Sequence, residues 1–314
     1  MGRFVARRLV GAVAVLVAIS VVTFLIFQAI PNGDPAQRLA GRLATPQQVR
    51  DVRRQWGFDK PIYVQYAKTM EKVLTGQVYS YSQQLNVESE IGRDLPVTLS
   101  LALGSAVLFL VFGIAFGVLS AVHAGRFADR ALTVMAMFGV SMPVFFLSAV
   151  MVYYLGFKAG LLPQGGYVSL GTDPVGWLTH LIMPWVSLAV LYVGVYSRLL
   201  RSSILDTVNE DFVRTARAKG LSERRVLAAH VLRNSMIPVI SLFGLDLAAV
   251  IGGGAILTES IFNLHGVGQY AAESIGRLDI PPILVIVMLT AFAVVVIGAI
   301  TDIVYALLDP RIRL

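Results

Sequence analysis

Six stretches of this chain, near 9–30, 97–122, 131–156, 181–200, 237–257 and 283–308, are strongly apolar and almost free of charge. About 20 helical residues cross the roughly 30 Å of hydrocarbon in a bilayer, and each stretch is that long. Inside that layer every backbone N–H and C=O must be satisfied by the chain itself, which leaves helices or a closed barrel. Uninterrupted apolar runs without period-two alternation predict helices. The expectation is an all-α, polytopic membrane protein with six transmembrane helices. Composition agrees: 14% of the 314 residues are charged, against about 25% in soluble domains. The first stretch follows Arg3, Arg7 and Arg8, as a signal peptide would. Its apolar core is too long for one, and the run PNGDP at 31–35 replaces a small-residue cleavage site, so it reads as a retained helix.

The net charge of +7 does not point to nucleic acid, because its distribution follows membrane topology. With the N-terminus inside, the inner segments hold fifteen Lys and Arg residues, eight of them between Arg198 and Arg233. The two short outer loops hold only Lys158 and Arg277. The outer segment 31–95 carries nine, but long loops translocate largely regardless of charge. Both termini are therefore expected on the cytoplasmic side of the cell membrane.

Three divisions follow: an N-terminal tail with the first helix (1–30), an outer helical cap (31–95), and a five-helix core (96–314) containing the inner loop 201–235. In the cap, Thr45-Pro46 reads as a helix start and Gly57 as its stop, and 61–74 places Ile62, Tyr66, Met70 and Val73 at helical spacing. Pro143 and Pro184 are expected to kink the third and fourth spans. Gly113 and Gly117, four apart, permit close helix approach. Gly252, Gly253 and Gly254 lie deep in the fifth span and serve either tight packing or a bend that lines a pathway.

Loop 201–235 is too long for an ordinary bundle connection of about 2–8 residues. It reads as two short helices. The first has Ile204, Val208 and Phe212 as an i, i+4 stripe, with Glu210 and Asp211 upstream of Arg214, Arg217 and Lys219. Gly220 suits a left-handed C-cap, and Ser222 can cap the second helix. A rigid helix–Gly–helix unit can dock a partner protein; a basic helix pair lying on anionic lipid fits the same residues.

There is no cysteine, and His123, His180, His230 and His265 are scattered, so no metal site or thiol chemistry is expected. No phosphate-cradling G-x-x-x-x-G-K-[ST] loop is present, and no nucleophile–base set or carboxylate pair reads as an enzyme site. Two acids lie within spans. Asp246 is either a polar lining group or a hydrogen-bond partner for a neighbouring helix, and Asp302 suits pairing with Arg198 or Arg201.

The run DFVRTARAKGLS at 211–222, continuing to LRNSMIP at 232–238, resembles the coupling loop of binding-protein-dependent ABC permeases, in particular the dipeptide and oligopeptide branch. Segments 7–35, 258–268 (TESIFNLHGVG) and 302–313 resemble the same branch, so the similarity covers essentially the whole chain. Where the wider superfamily has Glu-Ala-Ala, this chain has Arg214-Thr215-Ala216, and its closing proline is late, at Pro238; peptide-type permeases share both features. The resemblance implies a type I ABC importer permease fold and import of short peptides by alternating access, with nickel and glutathione as alternative cargo. Phe212, Arg214, Thr215, Ala216, Lys219, Gly220, Leu221 and Ser222 would couple to the ATPase, and Asp246, Gly253 and Ser141 are candidates for the pathway. Implied partners are a second permease subunit, two ATP-binding subunits that use the ATP, an extracytoplasmic substrate-binding protein and membrane lipid. This chain would bind no cofactor itself. The outer face, built from 31–95 and 258–282 with Ile261, Phe262 and Leu264, is expected to receive the binding protein. A self-sufficient secondary transporter is the rival class, but no internal repeat and only one mid-depth acid support it.

Overall fold

A computed structural model describes residues 2–29, 34–40 and 44–308. Helix α1 (Gly2–Ala29) carries the first apolar stretch, and the short α2 (Pro35–Ala40) follows. Helix α3 (Pro46–Trp56) starts with a reciprocal cap: the Gln48 N–H donates to the Thr45 hydroxyl while the Thr45 N–H donates to the Gln48 side chain. Pro46 sits in the first turn, where its missing N–H costs nothing, and Gly57 ends the helix. The chain continues through α4 (Ile62–Leu74), α5 (Val87–Val122), α6 (Phe127–Ser141), α7 (Val144–Met151), α8 (Pro174–Thr207), α9 (Asp211–Ala218), α10 (Glu223–Val226), α11 (Arg233–Ala249), α12 (Ile256–Ile261), α13 (Val267–Gly276) and α14 (Ile280–Leu308). π-helical turns follow α7, α10 and α11 without a loop.

Among the described residues, four segments are long and apolar enough to cross a membrane: Val87–Val122, Pro174–Thr207, Glu223–Gly254 and Ile280–Thr301. The pair Phe127–Ser141 and Val144–Lys158, bent by 96°, makes a fifth if its two halves form one span. The apolar part of α1, Val10–Ile26, falls within the first expected span, 9–30, but is shorter than the four spanning segments. The helices outrun the apolar stretches. Expected bounds of 97–122 and 181–200 become Val87–Val122 and Pro174–Thr207, because hydropathy marks only the part of a helix that needs hydrocarbon.

The prolines behave differently from one another. At Pro143 the span breaks outright: Met142 and Pro143 are extended, as the steric restriction on a residue before proline favours. Pro184 lies inside α8, which continues unbroken past it. There α8 is anchored by Trp185, whose indole N–H donates to the Ser100 carbonyl at 2.9 Å.

The chain forms two compact units, Met1–Thr98 with Leu264–Val295 and Leu99–Asn263 with Val296–Leu314. In the first, Trp56, Val78, Val87 and Ile91 share a core with Val267, Tyr270, Ala271, Val285 and Ile286. Helix α4 reaches α1 through Tyr66, whose hydroxyl is 2.7 Å from Ser20 Oγ and whose ring meets Phe24 edge-on. The expected apolar stripe of α4 is half-buried at Tyr66, Met70 and Val73, whereas Ile62 at its start is exposed. In the second unit Phe109 of α5 packs against Tyr192, Tyr196 and Phe243, at the centre of a core that extends into loop 201–235. The small residues permit this approach. A Cβ at Gly113 would lie 2.7 Å from Tyr196 Cβ, and one at Gly117 would lie 2.9 Å from Leu200 Cβ.

Candidate functional site

Loop 201–235 is built as an extension of the membrane helices. Helix α8 ends at Thr207, and Asn209 covers its open end by donating to the Leu205 carbonyl at 3.0 Å. After a short turn α9 begins. This break corrects the expected stripe: Ile204 belongs to α8 and is buried, while Phe212 on α9 is 42% exposed. The buried face of α9 is Val213 and Ala216, packed in the same cluster as Ala121 of α5, Leu200 and Ile204 of α8, and Val226 and Val231.

The turn after α9 is the one expected. Gly220 has φ +77°, its N–H donates to the Arg217 carbonyl, and the Leu221 N–H reaches back to Ala216. Ser222 occupies the N-cap position of α10, but its side chain makes no cap bond. The turn is instead braced by Arg217, which forks onto the Glu223 carboxylate at 2.9 and 3.2 Å. Arg214 pairs with Asp211 at 3.3 Å. Of the eight predicted coupling residues, Phe212, Arg214, Thr215, Lys219, Gly220 and Ser222 lie exposed together around this turn, Leu221 is half-buried and Ala216 is buried.

Nothing in the sequence singled out Asp129, yet it holds the adjoining corner. Its buried carboxylate accepts Nε and Nη2 of Arg201 at 2.7 and 2.8 Å, the Ser120 hydroxyl at 2.5 Å and the Gly125 N–H at 2.8 Å. One acid thus ties the α5–α6 turn to the start of loop 201–235. Arg201, expected as a candidate partner of Asp302, is engaged here; the Asp302 side chain lies outside the described residues.

The three pathway candidates are in different settings. Asp246 on α11 accepts the Tyr196 hydroxyl of α8 at 2.8 Å. Gly253 has φ +132°, a conformation side chains rarely adopt, and a Cβ there would meet nothing closer than Ile256 Cδ1 at 3.4 Å. The backbone bends there, while the neighbouring Gly254 is tightly packed, a Cβ there lying 3.0 Å from the Ala249 carbonyl oxygen. Ser141 is exposed at the end of α6, beside the break at Pro143.

The apolar groups expected on the outer loop are placed otherwise. Phe262 and Leu264 are fully buried and Ile261 is half-buried, while Asn263 is exposed. Phe262 is fixed within its unit by its carbonyl, which accepts the Gly166 N–H at 2.8 Å. In the other unit, buried Asp279 accepts the Ser80 and Ser82 hydroxyls, both at 2.5 Å, and the N–H groups of Tyr81 and Ser82. That fastens segment 79–86 to the turn before α14. Near it, burial and then the charges of Asp279, Glu90 and Asp94 push the Tyr270 hydroxyl well above the usual phenol range.

Comparison with known proteins accounts for the whole length. Residues 113–314 match the family described as "Binding-protein-dependent transport system inner membrane component", and residues 1–102 match its N-terminal companion. A probable peptide ABC transporter permease protein, y4tP of Sinorhizobium fredii, is 36% identical over 314 residues, covering 100% of each chain. The probable D,D-dipeptide transport system permease protein DdpB of Escherichia coli is 35% identical, covering 98% of this chain and 96% of the relative. The glutathione transport system permease protein GsiC of Salmonella paratyphi A is 35% identical, covering 100% and 99%. A chain from an inward-facing structure of the MetNI methionine ABC transporter superposes with a TM-score of 0.55 at 17% identity, covering 70% of this chain and 96% of that one. At that identity the superposition shows the fold alone, a type I permease fold. With apolar helices of spanning length, a family match along nearly the full chain and relatives aligned end to end, this chain is a multi-pass membrane protein that belongs to the binding-protein-dependent transport system inner membrane component family.

Proposed function

We propose that this chain is the membrane-spanning subunit of an ATP-driven importer of short peptides, with both termini cytoplasmic. The observation that carries the reading is the exposed turn around Gly220. It is rigidly seated through Val213 and Ala216 on the ends of α5 and α8, so a push on it reaches the spans directly. No phosphate-binding loop occurs in the sequence, so the ATP would be hydrolysed by two partner subunits docked on Phe212, Arg214, Thr215, Lys219 and Ser222. Their closure would rock the spans between inward and outward states, a rigid-body switch driven from outside the chain. Asp246, the bend at Gly253 and the break beside Ser141 are the places where polar or irregular backbone could serve a pathway. A second permease, identical or homologous, would complete the path, and an extracytoplasmic binding protein would deliver the cargo. Membership of a binding-protein-dependent family argues against a self-sufficient secondary transporter.

Peptide cargo is supported by the names of the peptide and dipeptide relatives. Glutathione, itself a tripeptide, is the second reading, supported by a relative of equal identity. The test is uptake by the complex reconstituted in proteoliposomes with its binding protein, ATP inside, and labelled dipeptide, tripeptide or glutathione outside. Uptake of peptides that glutathione fails to compete supports the first reading. Glutathione uptake alone selects the second, and uptake without ATP would overturn both.

A further inference from the structure

A cavity of about 360 Å³ opens where loop 201–235 meets the end of α5. Its wall is largely aliphatic, with Val122, Leu227 and Val231 among its residues, and Arg217, Glu223 and Arg224 complete it. Val122 is the last residue of a spanning helix and is 54% exposed, so the cavity stands at the level where hydrocarbon gives way to headgroups. The charges at the cavity are not equivalent. Arg217 and Glu223 neutralise each other in a two-pronged pair, whereas Arg224 has no ion pair among the described residues. An apolar recess with one uncompensated cation at the membrane boundary is complementary to a lipid with an apolar tail and a negative head.

We propose that this cavity is a binding site for an anionic phospholipid of the inner leaflet, its acyl chain against Leu227 and Val231 and its phosphate on Arg224. The site would join the coupling turn to the membrane, because the same Val231 lies in the core with Val213 and Ala216. The proposal rests on the cytoplasmic placement of loop 201–235 and goes beyond the importer reading.

The test uses the whole complex in nanodiscs of phosphatidylcholine and phosphatidylglycerol, with retained lipid counted by native mass spectrometry. Parent complex is expected to retain phosphatidylglycerol in preference to phosphatidylcholine. Arg224→Gln should reduce retention about fivefold, the change expected for about 1 kcal/mol of attraction per arginine near the surface. Leu227→Trp, which fills the recess, should reduce it as well, whereas Arg225→Gln, exposed and outside the cavity, should not. Equal retention of both lipids, or no loss in Arg224→Gln, would overturn the site. So would a photo-crosslinker at position 224 that captures the ATPase subunit and no lipid. The chain has no native cysteine, so Arg225→Cys gives a clean sidedness probe. Labelling from the outer side would overturn the placement of the loop. Inner-side labelling of Arg225→Cys, together with unchanged lipid retention in Arg224→Gln, would overturn the lipid site alone.

Discussion

Arg201 near the C-terminal end of α8 grips Asp129 at the start of α6 with two parallel hydrogen bonds, 2.7 and 2.8 Å long, across 72 residues of sequence. The carboxylate is almost wholly buried and the guanidinium about two-thirds so, with side-chain exposures of 6% and 31%. Such a pair adds little over an apolar contact of the same shape, but removing one partner strands the other. Asp129→Ala is therefore expected to destabilise the complex by roughly 3 kcal/mol, the low end for a buried pair because Arg201 keeps some contact with solvent. In a double-mutant cycle read by thermal unfolding, Asp129→Ala with Arg201→Leu should cost clearly less than the two single changes added. Additive losses would mean the two side chains do not act as a unit.

Gly220 separates backbone strain from capping. The space beside it is open, with no heavy atom within 4 Å of where a Cβ would stand, so a side chain there meets no clash but must hold φ at +77°. Gly220→Val should insert normally, lose about 1–2 kcal/mol locally, and fail to couple ATP hydrolysis to uptake. Ser222→Ala should be close to neutral for folding, because the hydroxyl makes no cap bond. Uptake and substrate-stimulated ATPase activity at matched membrane levels are the measurements. Normal uptake by Gly220→Val would remove the docking role of the turn.

The Tyr196–Asp246 bond links α8 to α11 within the spans. Asp246→Asn keeps an acceptor for the tyrosine and should be tolerated. Asp246→Leu leaves the buried hydroxyl without a partner and should cost about 1–3 kcal/mol. If Asp246→Leu transports and unfolds like the parent, the residue is neither an interhelical bond nor part of a pathway.

Gly113 and Gly298 make a paired test of helix approach. A Cβ at Gly113 would press on Tyr196, whereas one at Gly298 meets nothing within 4 Å. Gly113→Ala should cost about 1–3 kcal/mol through overpacking, while Gly298→Ala should be neutral. Thermal unfolding in one detergent compares them. Equal effects would mean that α5 does not approach α8 as closely as described.

Crosslinkers test the proposed receiving face. Gln55 and Asn263 are both exposed. A photo-reactive group at either position is expected to capture the substrate-binding protein when it carries ligand. Capture of lipid only, at both positions, would count against that face.

Much of the architecture could be read directly because its causes are local or set by length. The apolar runs must cross hydrocarbon whatever they pack against, the Thr45–Gln48 cap is closed by residues three apart, and Gly220 is demanded by its own backbone angle. Pro143 also broke its helix for local steric reasons, though the sequence did not distinguish it from Pro184, which α8 absorbs.

What the tertiary structure decided is which groups meet. The i, i+4 reading carried Ile204, Val208 and Phe212 as one stripe, but the turn between α8 and α9 rotates the face, so Val213 and Ala216 are buried and Phe212 is left outside. Asp129 looked like one more surface acid until Arg201, Ser120 and Gly125 closed on it, and Asp279 likewise until segment 79–86 wrapped its carboxylate. Sequence alone determined that the chain spans a membrane as helices, since the bilayer demands that of any such run. The buried acids and the seat of the turn around Gly220 depend on contacts between residues far apart in sequence, and no local periodicity records those.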